Sequence, residues 1–237
     1  MQLDFEQLGE KMQKRGALIA DEELSLRSKT ATDLEQTSRL RFEQAVTLHL
    51  QESADIKRQI ASACMESILN AAQLIAEAFR TGGKLMLCGN GGSAADCQHL
   101  AAEFVNWLSK DFQRPGLPAI ALTTDTSFLT AFANDSSFES VFERQVQTLG
   151  KPGDVLIGIS TSGSSPNVVL AITAAKKMGI GAIALTGTGG KLAAIADVTI
   201  AVPSTNTAYI QEGHLAVEHI LCSLVESHLF SERGATA

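Results

Sequence analysis

Two segments far apart in the chain hold most of its chemistry-bearing residues. One runs Cys88-Gly89-Asn90-Gly91-Gly92-Ser93 and continues to Glu103; the other runs from Gln211 to His219. His99 and Glu103 stand four residues apart, so a helix sets them on one face. An imidazole and a carboxylate in that relation suit divalent-metal ligation or proton transfer. His219 sits in the apolar stretch Leu215–Leu224, where a lone histidine also reads as a packed core residue. Gln211 and His219 are eight residues apart, which is roughly 12 Å along an ideal helix. One point can then take both only if Gln211 lies in an irregular first turn, or if two subunits combine.

The glycine loop before His99 suits an anion. Glycine lets backbone N–H groups approach a ligand closely, and the following helix start presents further N–H groups. Gly89-Asn90-Gly91-Gly92-Ser93-Ala94 also matches G-x-G-x-x-A. The ribose-binding acid expected about 20 residues on is missing, which weakens a dinucleotide reading. A second candidate is Ser160-Thr161-Ser162-Gly163-Ser164-Ser165. One hydroxyl would cap the next helix; the surplus, with helix-start amides, suits a phosphate monoester. Gly187-Thr188-Gly189-Gly190-Lys191 lacks the Walker spacing, so nucleotide hydrolysis is not expected.

The elements that must position these loops follow a regular order. The pattern predicts one or two long helices over 38–80, stopped by Thr81-Gly82-Gly83, then strands at 84–88, 119–123, 154–160, 181–186 and 198–202. Helices are expected at 93–108, 126–149 with a break near Asn134-Asp135-Ser136, 165–178, a short one at 189–195, and 208–229. Short strands apolar on both faces and separated by helices define an α/β fold, a doubly wound five-stranded parallel sheet sandwiched by helices. Ligands bind such sheets at the carboxyl ends of the strands, where the glycine loop, Thr124-Asp125, the serine loop and Gly187 fall. On this reading His99 and Glu103 face that crevice. Residues 1–37 read as an N-terminal helical or partly ordered extension, 38–230 as the α/β domain, and 231–237 as a tail.

Composition narrows the function classes. The 237 residues carry a net charge of −7 and are 45% hydrophobic. An acidic globular chain is not expected to bind nucleic acid or acidic membranes nonspecifically, whereas backbone amides and hydroxyls still hold phosphate. Cys64, Cys88, Cys97 and Cys222 form no CxxC pair and read as reduced, packed thiols. Met1-Gln2-Leu3-Asp4 opens no signal peptide, and no apolar run approaches about 18 residues. A cytoplasmic protein is expected.

The segments CGNGGSAADCQHLAAEF, ALTTDTS, AFANDSSF, GDVLIGISTSGSSPNV, ALTGTGGKLA and IQEGHLAVEH resemble the sugar isomerase (SIS) fold, and within it phosphoheptose (sedoheptulose 7-phosphate) isomerases. The resemblance implies interconversion of sedoheptulose 7-phosphate and D-glycero-D-manno-heptose 7-phosphate through an enediol, the first step toward activated heptose. It implies that Asn90, Gly91, Gly92, Ser93, Thr124 and Asp125 line the substrate site, and that Ser160, Thr161, Ser162 and Ser165 grip the phosphate. It implies one zinc per subunit on His99, Glu103, Gln211 and His219. Glu103 and His219 would also transfer protons, and Glu103 and Gln211 would touch substrate. Family members are homotetramers with active sites at subunit interfaces. Two positions depart from the pattern: Trp107 and Tyr209 stand where relatives commonly carry Arg. These departures, with the extra N-terminal arm, support a rival reading: a non-catalytic SIS-domain protein that binds a replication initiator or senses sugar phosphate. Retention of Glu103 and His219 favours the enzyme.

Overall fold

A computed structural model describes residues 31–230; the rest of the expected extension, residues 1–30, and the tail 231–237 lie outside the described residues. The strands are β1 (Leu85–Gly89), β2 (Ala119–Ala121), β3 (Val155–Ser160), β4 (Gly181–Thr186) and β5 (Val198–Ala201). The helices are α1 (Ala31–Ala63), α2 (Met65–Arg80), α3 (Gly92–Val105), α4 (Thr126–Asp135), α5 (Val141–Leu149), α6 (Pro166–Lys177) and α7 (Thr207–Phe230). The described residues fall into two units divided after Gln51. In the first, α1 exposes Leu40, Phe42, Val46, Leu48 and Leu50. The second carries the sheet.

All five strands are parallel in the order β2-β1-β3-β4-β5. The chain leaves β1 for β2 on one side and then crosses to β3 on the other. The β1/β3 boundary is therefore the switch point at which doubly wound sheets open a crevice. Strand periodicity divides the core. Leu85, Leu87, Val155, Ile157 and Ile159 pack with residues of α2, α3 and α7. Met86, Cys88 and Leu156 face the other way onto Val141, Phe142 and Val146 of α5 and Val168 and Ile172 of α6. Burial on both faces is the stabilising term that makes this sheet an interior layer.

Three elements differ from the sequence expectation. Helix α3 stops at Val105 rather than 108. There the buried Arg114 guanidinium donates to the carbonyls of Phe104 at 2.7 Å, Glu103 at 3.0 Å and Asn106 at 3.0 Å, while its Nε donates to Glu226 Oε1 at 2.8 Å. The helix end is thus capped by a cation from a later loop. Strand β2 ends at Ala121, because the next carbonyl, that of Leu122, accepts from the Gln145 side chain at 2.9 Å. The helix expected at 189–195 is a 3₁₀ turn, Leu192–Ala194. Gly189 and Gly190 hold φ of 94° and 95°, outside any right-handed helix.

Candidate active site

The glycine and serine loops meet at the switch point. Gly91 takes φ 56° immediately before the first residue of α3. Asn90 and Asn167 exchange amide hydrogen bonds at 2.9 and 2.8 Å, joining the β1 loop to the start of α6. Ser93 is buried beneath the loop, and a Cβ at Gly89 would sit 3.0 Å from its Cβ. In the serine loop, Ser160 Oγ lies 2.8 Å from Ser165 Oγ and 3.3 Å from Ser162 Oγ. Ser165 precedes α6 and Pro166 opens it, yet the Ser165 hydroxyl makes no capping bond. Its hydroxyl therefore stays in the cluster rather than closing the helix end. Half-buried Thr161 accepts at its carbonyl from Gly187 N at 3.1 Å. Gathered hydroxyls beside a helix N-terminus suit an anion.

Thr124 and Asp125 lie exposed at the end of β2, on the same rim. Thr124 Oγ1 donates to Ala121 O at 3.1 Å. Asp125 caps α4, its Oδ1 accepting from Phe128 N at 2.9 Å. One carboxylate oxygen of Asp125 is thereby committed to the helix start.

His99, Glu103 and His219 come together where α3 packs against α7. His99 Nε2 and His219 Nε2 are 2.8 Å apart, and Glu103 Oε1 lies 3.8 Å from His99 Nε2. His219 is exposed rather than a core residue. His99 is seven residues beyond Gly92, about 10 Å along an ideal helix, so this cluster lies down the helix from the rim rather than in the crevice of its own loop. Gln211 sits at the other end of that helix: a Cβ added at Gly92 would be 2.2 Å from Gln211 Nε2. Helix α7 is α-helical throughout from Thr207 to Phe230, which removes the irregular first turn as a way to bring Gln211 to His219.

Two carboxylates not singled out by sequence border this cluster. Glu218 is fully buried, with neither oxygen partnered among the described residues. Burial, aided by the charge of Asp96, pushes its carboxyl up to about 8. Asp96 is half-buried and also raised by burial, with His99 opposing. Its Oδ2 and Glu103 Oε2 are likewise buried without a hydrogen-bond partner. The signal for Glu218 was its place on the stripe His214, Val217, Leu221, Cys222, Val225, all buried. Two imidazole nitrogens and an unpartnered carboxylate oxygen are donor types that suit zinc. Among the described residues of one chain, however, no three His, Cys, Asp or Glu side chains form a metal-holding group. The donors fit in kind, and the described residues of one chain supply too few of them at one point.

His214 lies beneath the β4 end of the site. Its Nε2 faces the Thr186 carbonyl at 3.1 Å; a carbonyl only accepts, so Nε2 carries the proton. Nδ1 is buried without a partner, and burial lowers the imidazole to about 4 against the opposing Thr186 bond. The folded state thus resists protonation that the unfolded chain accepts near pH 6.5. Stability from this group is present above that pH and is lost as pH falls toward 4, by about 3 kcal/mol in all. Glu218 acts in the opposite sense, its contribution fading as pH rises from about 4.5 to 8. Denaturant midpoints at several pH values should show a flatter acid limb for His214→Gln than for the unmodified protein. Parallel limbs would remove the assignment.

A switch-point crevice, a hydroxyl-rich loop and a helix-borne histidine–carboxylate pair suit a sugar phosphate, and residues 49–187 match the SIS domain family model. The chain is 51% identical over 192 residues to the phosphoheptose isomerase of Roseiflexus sp., covering 81% of this chain and 96% of that one. It is 51% identical over 177 residues to the phosphoheptose isomerase of Burkholderia pseudomallei, covering 74% and 83%. The solved phosphoheptose isomerase of Neisseria gonorrhoeae superposes with a TM-score of 0.74 at 45% identity, over 78% of this chain and 99% of that one. The chain belongs to the phosphoheptose isomerase family of SIS-domain proteins. Among the described residues no helix is long and apolar enough to cross a membrane.

Proposed function

We propose that this protein is an aldose–ketose isomerase that converts sedoheptulose 7-phosphate to D-glycero-D-manno-heptose 7-phosphate in the cytoplasm. The observation that carries the reading is the meeting of His99 and Glu103, on the helix that starts at the glycine loop, with His219 of α7. A non-catalytic binding protein has no need of that acid/base cluster. The Ser160, Ser162 and Ser165 hydroxyls and the α6 amides take the phosphate, which orients the reacting carbons. Asn90, Gly91, Gly92 and Ser93 lie against the sugar, with Thr161, Thr124 and Asp125 on the same rim. Glu103, reaching the sugar across a subunit interface, removes the proton from the carbon beside the carbonyl. The resulting cis-enediol is reprotonated at the neighbouring carbon, and His219 moves the hydroxyl proton between the two oxygens.

His99, Glu103, Gln211 and His219 would hold one zinc per subunit, which supplies Lewis-acid polarisation of the carbonyl. The separation of Gln211 from His219 along α7 supports a site completed by a second subunit within a homotetramer. Chelation should abolish turnover, and zinc should restore it at a metal content near one per chain. Full turnover by protein free of metal would overturn this part of the reading.

A further inference from the structure

The first turn of α7 is gripped from two sides. On one side, Tyr209 and Glu212 stand three residues apart and face the part of α1 that belongs to the second unit, from Glu52 on. The Tyr209 hydroxyl donates to Glu52 Oε2 at 2.6 Å, and Ser53 Oγ, 4% exposed as a residue, donates to the Glu212 carboxylate. Lys57 Nζ donates to Ser53 Oγ at 3.0 Å, adding a cation beside that carboxylate. On the other side, Gln211 lies about 200° round the helix from Tyr209. Its amide fills the space that a Cβ at Gly92 would occupy. The α1 contacts, the α7 turn and the glycine loop therefore form one chain of contacts. The partner of the Tyr209 hydroxyl is a carboxylate.

We propose that Tyr209 and Glu52 are positioning residues: their hydrogen bond fixes the first turn of α7, and through it seats Gln211 against the glycine loop at Gly92. A guanidinium at 209 meets the same carboxylate with a charge-assisted bond. The consequence for turnover rests on the isomerase reading; the consequence for loop order does not.

The test uses the full chain with Tyr209→Phe, Glu52→Ala, both together, and Tyr209→Arg. Amide hydrogen exchange is followed in segment 90–96, and KM and kcat are measured with sedoheptulose 7-phosphate. Each single change should speed exchange of that segment about tenfold, with β1 and β3 unaffected. Each should also raise KM by about the same factor, with kcat changed less, because the glycine loop contacts the sugar. The double variant should be no worse than either single one, since both remove one bond. Tyr209→Arg should match the unmodified protein in both readouts. Unchanged exchange in the single variants, additive losses, or Tyr209→Arg behaving as Tyr209→Phe would each overturn the latch. If the unmodified protein fails to turn over the sugar, the isomerase reading falls and the exchange comparison alone decides the latch.

Discussion

Glu103→Gln should lower kcat between about 10²- and 10⁴-fold, the range expected when a positioned general base is removed. The substitution keeps the shape of the side chain. Glu103 is partly shielded at 21% exposure, its Oε1 lies 3.8 Å from His99 Nε2, and its Oε2 is buried without a partner. Gln preserves one oxygen and replaces the other with a donor that cannot accept a carbon-bound proton. The serine loop is untouched, so sugar-phosphate binding should survive, seen as ligand-induced thermal stabilisation close to that of the unmodified protein. Loss of binding together with turnover would place Glu103 in substrate recognition instead. The backbone carbonyl of Glu103 accepts from Arg114, which holds the residue from a side the substitution leaves alone.

The second large effect is expected at Gly163. This glycine takes φ 62°, and a Cβ there would lie 2.5 Å from Gly189 O and 3.1 Å from Gly190 Cα, both backbone. Neither neighbour can swing aside as a side-chain end would. Gly163→Ala must therefore shift the serine loop. That loosens the Gly163 N to Ser160 O bond at 2.9 Å and the Leu192 N to Gly163 O bond at 2.9 Å, and it spreads the Ser160, Ser162 and Ser165 hydroxyls. The expected cost is about 1–3 kcal/mol of stability, with KM for the sugar phosphate raised by about tenfold or more as the phosphate hydroxyls lose register. Gly189→Ala is the internal comparison. Its φ is 94°, yet an added Cβ meets nothing within 4 Å, so it pays the backbone penalty without the collision. Equal effects of the two changes on KM would show that the contact between the two loops does not shape the phosphate site.

Much of the fold was legible because its signals are local. Runs such as Val155–Ile159 carry no polar side chain, and the alternation with helices leaves few topologies open. The rim placement of the glycine and serine loops follows from that topology alone. What escaped was set by distant partners. Arg114 ends α3, Gln145 ends β2, and the packing of Gly190 on Gly163 displaces the short helix; none of these leaves a periodic trace in the segment it alters. The site was legible in its residues and less so in its layout. Helical spacing paired His99 with Glu103 and separated Gln211 from His219. It did not show that α3 carries the first pair away from its own rim, because that depends on how α3 and α7 pack. Glu218 escaped for a related reason: a carboxylate on an apolar stripe reads as surface until the neighbouring helix covers it.

The most direct measurement is product formation by the purified protein from sedoheptulose 7-phosphate with zinc present, with Glu103→Gln run beside it. The expected result is D-glycero-D-manno-heptose 7-phosphate from the unmodified protein and its near-absence with the variant, both still stabilised by the sugar phosphate. Equal turnover by the two proteins, or sugar-phosphate binding without turnover by either, would contradict it.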